Sequence, residues 1–111
     1  MSYLKNIEAS QTFKMSEAVN VVAAQVVSKT LVQNKHHSLT LFAFAENEEI
    51  SIHESKGDAL VSVLEGIGSF QIGDKVYELQ ANESIVMPAN VPHALKAITD
   101  FKMSLLVIFD A

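Results

Sequence analysis

Two stretches decide the fold: Asn47-Glu48-Glu49-Ile50-Ser51-Ile52-His53-Glu54-Ser55-Lys56-Gly57-Asp58-Ala59, followed after six intervening residues by Gly66, and Asn82-Glu83-Ser84-Ile85-Val86-Met87-Pro88-Ala89-Asn90-Val91-Pro92-His93, followed after three by Ala97. Each opens on a turn residue and runs through a short β-branched segment, Ile50 to His53 or Ser84 to Met87. Each then turns again at glycine, proline or asparagine, the punctuation of short strands. Glu46 to Glu49 is a polar turn, so its carboxylates read as solvated surface rather than as a catalytic dyad.

The same alternation continues on both sides. Leu39 to Ala45 is apolar on both faces, as a strand covered on both sides is. Leu60 to Glu65 and Ser69 to Ile72 flank Gly66-Ile67-Gly68, and Gly73-Asp74-Lys75 is a hairpin turn into Val76 to Leu79. His93 to Ile98 and Met103 to Phe109 close the series, and Val21 to Leu31 is predicted as a long first strand. The expectation is about eight to ten short strands in one all-β sandwich or barrel. Residues 1–20 read as an N-terminal arm, a candidate dimer-facing surface, and residues 21–111 as the barrel. Within the arm, Glu8 to Val19 is open between a short helix, an edge strand and a partner-facing segment.

Composition narrows the function classes. A chain of 111 residues with 49% hydrophobic content supports one core. With no cysteine there are no disulfides, thiolate metal sites or cysteine nucleophiles. A net charge of −5 with scattered basic residues disfavours nucleic acid and anionic membrane surfaces as partners. No stretch is long and apolar enough for a membrane span, and the start lacks the build of a signal peptide, so a cytoplasmic location is expected. No phosphate loop, Ser/His/Asp signature or paired-carboxylate arrangement stands out, and no catalytic residue is assigned.

The two opening stretches resemble the paired motifs of the cupin superfamily, in its small single-domain, type-2 conserved-barrel form. The first family motif is glycine, five residues, His-x-His, three or four residues, glutamate, six residues, glycine. The second is glycine, five residues, Pro-x-Gly, two residues, histidine, three residues, asparagine. The spacing here matches at every anchor, and fifteen residues separate Gly66 from Asn82, as in the compact hairpin of small cupins. Asn47, Asn82 and Asn90 stand where the family has glycine, and asparagine is the ordinary residue best suited to the left-handed turns required there. The resemblance implies a double-stranded β-helix, or jelly roll, and a homodimer.

By the same resemblance, four ligand positions hold a divalent metal inside the barrel. Here they are His53, Ser55, Ala59 and His93, so only two imidazoles remain. Zinc, iron, manganese, nickel and copper are not separable on that set, and two imidazoles fall below the three or four protein ligands of a stable site. The ligand-binding candidates are His53, Ser55, His93 and, from the first strand, Gln25, with His53 and His93 also the metal candidates. Asp58 is a weaker substitute donor, and Glu54 is expected to point away from the cavity if His53 points into it. His36-His37 reads as a solvated loop. Phe42, Phe44, Phe70, Tyr77 and Phe109 read as core before cavity lining. The leading functional expectation is a barrel that binds a small molecule, with a polar or sugar-like ligand in view. The alternatives are a metal-dependent dioxygenase, isomerase or decarboxylase, and an assembly module.

Overall fold

The computed structural model describes residues 3–109, so the first two residues of the arm and the last two of the barrel lie outside the described residues. Among the described residues nine strands follow a single 3-10 turn at Met15–Glu17: β1 Val26–Gln33, β2 His37–Phe44, β3 Glu49–His53, β4 Asp58–Glu65, β5 Ile67–Ile72, β6 Lys75–Gln80, β7 Ser84–Met87, β8 His93–Ala97 and β9 Phe101–Ile108. They form a five-stranded sheet in the order β1-β2-β9-β4-β7 and a four-stranded sheet in the order β3-β8-β5-β6. Every neighbouring pair is antiparallel. The strand spacing predicts an all-β sandwich or barrel, and the two antiparallel sheets form the jelly-roll barrel that the motif resemblance implies. No helix among the described residues is long and apolar enough to cross a membrane.

The two sheets face each other across a core centred on Phe101. Its ring stacks on Phe44 at 4.7 Å between centroids and meets Phe70 edge-on at 6.1 Å, both favourable ring arrangements. Gly66 makes the corner between β4 and β5: its φ is +79°, and a Cβ there would collide with the Asp100 carbonyl.

Strand β2 is apolar on both faces because both are covered. Phe42 and Phe44 face the core between the sheets, whereas Leu39, Leu41 and Ala43 face outward with Leu31. The N-terminal segment lies over that outer face and packs Ile7, Met15, Ala18, Val19 and Val21 against it. Lys102 pins the segment down. It is buried on β9 beside Ala43, and its ammonium donates to the Ser16 carbonyl at 2.6 Å, with Glu65 at 3.7 Å. The stretch Glu8 to Val19, left open by the sequence, is therefore irregular chain with one 3-10 turn.

Strand β1 begins five residues later than expected, at Val26 rather than Val21. A turn closes at Gln25, whose N–H donates to Val22, and it needs Ala24 at φ 59°. Valine density in Val21-Val22 signalled a strand, but those side chains precede the turn, and Val21 packs against the outer cluster instead.

The three asparagines at family glycine positions have φ of 71° at Asn47, 73° at Asn82 and 64° at Asn90. Left-handed backbone costs an ordinary L-residue roughly 1–2 kcal/mol, a cost that glycine escapes. Asn82→Ala is accordingly expected to lower unfolding free energy by about 1 kcal/mol, while Asn82→Gly stays within about 0.5 kcal/mol of the parent. Urea denaturation of the three proteins checks this. Equal loss in both variants would show that the side chain matters and the backbone geometry does not.

Candidate functional site

A β-bulge builds the site. In the β3–β8 ladder Glu49 pairs with Lys96 and Ile50 with Leu95, but the next pair is His53 with His93. Three steps on β3 thus match two on β8. Without the extra residue Ile52 would face the core and His53 would face solvent, because side chains alternate along a strand. The bulge reverses that order: Ile52 is 59% exposed, and His53 joins Ile50 on the cavity side. Ser51 and Ile52 have no ladder partner, and the Ser51 carbonyl accepts the His53 Nδ1 proton at 2.9 Å.

His93 sits opposite on β8 and is only 3% exposed. The two rings meet edge-on, with 4.2 Å between centroids and 69° between planes. His93 Nδ1 lies 3.2 Å from the Val91 carbonyl, in the same i to i−2 arrangement as His53. A carbonyl only accepts, so each Nδ1 carries the proton and each neutral ring leaves its Nε2 as an acceptor. Burial pushes the His93 pKa below its ordinary value of 6.5, helped by the charge that His53 can carry and opposed by the Val91 hydrogen bond.

The turn after β3 is tied to the turn that precedes β8. The Ser55 carbonyl accepts from Asn90 N–H, and the Asp58 carboxylate accepts from Ala89 N–H, each at 2.8 Å. Gly57 N–H donates to the Ser55 hydroxyl at 3.1 Å, and Gly73 N–H holds the Pro92 carbonyl at 2.8 Å. Asp58, considered above as a substitute metal donor, uses its carboxylate to hold the Pro88–Asn90 turn.

Behind the histidines lies a cavity of about 360 Å³. Its body is apolar, with Phe42, Ile50, Met87, Leu95, Met103 and Leu105 prominent, and Ala59 in its wall. The polar groups, His53, Glu54, Ser55, Lys56 and His93, come from adjoining positions in the two motif segments. Of the predicted site residues, the structure brings His53, Ser55 and His93 to this one cavity. Gln25 is exposed just before β1 and is not among the lining residues. Glu54 lies past the end of β3, where alternation no longer applies, and stands exposed at the cavity edge. Phe42 and Phe109 line the cavity, Phe44 and Phe70 are core, and Tyr77 is partly exposed on β6. The His36-His37 pair does not form a joint site: both N–H groups donate to the Asn34 side chain, and His37 already belongs to β2.

The cupin domain family matches residues 40–109. The chain belongs to the cupins. It is similar over its whole length, at 37% identity and TM-score 0.97, to a conserved protein of unknown function from Streptococcus pyogenes, covering 97% of that chain. A cupin superfamily protein from Desulfitobacterium hafniense matches at 28% identity and TM-score 0.93, with 98% of this chain and 100% of that one covered. A cupin 2 conserved barrel domain protein from Leptotrichia buccalis matches at 36% identity and TM-score 0.84 over 86% of this chain and 47% of that one. No functionally curated protein matches.

The metal set implied by the cupin motifs is not assembled here. Ser55 is engaged with Gly57, and Ala59 offers no donor atom. Among the described residues no three His, Cys, Asp or Glu side chains come together. Two imidazoles do not fit the three or four protein ligands of a resident divalent metal.

Because the folded chain resists protonating His93, the unfolded chain binds that proton more readily below its ordinary value of 6.5. The contribution of neutral His93 to stability is complete above pH 6.5 and declines as the pH falls from there toward the lower folded value. The urea midpoint is expected to drop between about pH 7.5 and pH 5.5, and to drop less in His93→Gln. The same pH dependence in both proteins would contradict this assignment.

Proposed function

We propose that this cupin binds a small organic molecule in the barrel cavity and does so without a resident metal. The observation that carries the reading is the pairing of an apolar cavity with a two-imidazole polar end at which no third His, Asp or Glu is brought into a metal-holding group among the described residues. Pockets of about 300–1,000 Å³ with apolar walls and a few oriented polar groups are the usual form of small-molecule sites. The apolar body would supply affinity by burial, and the histidines would set orientation. The polar, sugar-like ligand expected from sequence fits this wall less well than a molecule with a substantial apolar part.

In this reading the protein works in the cytoplasm, contacts neither nucleic acid nor membrane, and is a homodimer. The accessible surface of 6896 Å² favours the dimer, because a compact monomer of 12.1 kDa exposes about 6,000 Å². The outer face of the five-stranded sheet also leaves Leu60, Val86 and Ile108 exposed.

Untagged protein is expected to carry well under one metal per chain, and binding of cavity ligands from a metabolite library is expected to survive EDTA. Ala59→Leu, which extends a side chain into the cavity, is expected to weaken binding by tenfold or more, and sedimentation of the same samples should give a dimer. Stoichiometric metal with metal-dependent turnover would replace this account with the metal-enzyme reading. A monomer would remove the dimer.

A further inference from the structure

We infer that the cavity selects an uncharged ligand whose apolar body carries a hydroxyl group, a phenol or a comparable alcohol, with the hydroxyl proton donated to the Nε2 of the histidine pair. The inference rests on the proposed cavity-binding reading and adds the chemical class of the ligand.

The polarity of the head group follows from where the imidazole protons are. Both Nδ1 atoms face backbone carbonyls, at 2.9 Å for His53 and 3.2 Å for His93. A neutral imidazole whose proton is on Nδ1 offers an acceptor and no donor on its other side. Among the described residues neither Nε2 has a protein hydrogen-bond partner, and no fully buried side-chain nitrogen or oxygen is left unpartnered. The Nε2 of buried His93 must then face space that a ligand atom can reach. A ligand with only acceptor atoms would leave it unpaired on binding, whereas one with an O–H satisfies it.

Ser55 favours a hydroxyl over a head group that only donates. Its oxygen accepts from Gly57 N–H, which leaves its own proton available at the same cavity. A ligand oxygen that gives its proton to imidazole and accepts one from Ser55 uses both. Charge argues for a neutral molecule. Glu54 and Lys56 are exposed and of opposite sign, and the rest of the lining contains no other Asp, Glu, Lys or Arg. A carboxylate head would meet acceptors at the imidazoles and lose its hydration against apolar walls. The wall of Phe42, Met87, Met103 and Leu105 suits a flat or branched hydrocarbon body.

Calorimetry at pH 7.5 with 2-naphthol, 2-methoxynaphthalene and 2-naphthoate tests this on the unaltered protein. The three share a fused-ring body and differ in the head: a donor, an acceptor without a proton, and an anion. The expected order places 2-naphthol about tenfold or more tighter than either of the others. In His53→Ala, a change at an exposed position, that preference over 2-methoxynaphthalene is expected to shrink severalfold. His93→Leu should shrink it as well, and the wild-type comparison decides the matter should that variant fail to fold. Equal binding of 2-naphthol and 2-methoxynaphthalene, or tighter binding of 2-naphthoate, overturns the ligand class but leaves the cavity reading standing. If none of the three binds while library ligands do, the class is overturned alone; if neither set binds, both readings fall.

Discussion

One extra residue in β3 determines what this barrel can do. Between Ile50 and His53 the strand advances three positions while β8 advances two, and that mismatch brings His53 to the cavity side, where it stays exposed at the mouth and meets His93. The bulge also frees the Ser51 carbonyl from the ladder, and that carbonyl fixes the proton on His53 Nδ1. Inward placement and tautomer therefore come from one local event. On the other side, Ser55 and Asp58 grip the Pro88–Asn90 turn and so set where His93 begins. Each histidine ring is held by a backbone carbonyl two residues before it.

The cavity behind them is apolar because of what stands at the neighbouring positions. Ala59 occupies the place that the cupin motif gives to a carboxylate, and its ladder partners on the two sides are Met87 and Val107. A buried carboxylate there would demand a cation or several donors. Alanine removes that demand and leaves a hydrocarbon surface. Alanine at this position thus both removes one motif donor and adds to the apolar wall, while Ser55 accounts for the missing imidazole. The lowered pKa of His93 follows as well, since a buried ring with no anionic neighbour is held neutral.

Much of the barrel was legible in the residues. Strands from Leu39 onward fell close to their expected bounds because each is a short run, most of them rich in β-branched or apolar residues, bounded by turn residues. The three asparagines were readable as left-handed turns because few other side chains tolerate that backbone. The two-sided apolarity of β2 correctly signalled a cover on both faces, although the covering chain, residues 7–21, has too little periodicity to announce its path. Simple alternation from Ile50 would have pointed His53 outward, and only the motif resemblance placed it inside. Nothing local marks the bulge, since Ser51-Ile52 is ordinary strand sequence. The late start of β1 escaped for a similar reason: Ala24 adopts a left-handed turn for which alanine gives no signal. The role of Asp58 was hidden because its partner, Ala89, is 31 residues away.

The central claim is that the barrel presents a pair of Nε2 acceptors to its cavity. Long-range nitrogen–proton NMR correlation on imidazole-labelled protein at pH 7.5 reads the tautomer of each ring directly. His53 and His93 are expected to show protonated Nδ1 and unprotonated Nε2 in the ligand-free protein, a pattern that addition of EDTA leaves unchanged. A proton on Nε2 of either ring would contradict the account, because the cavity would then offer a donor where the structure assigns an acceptor.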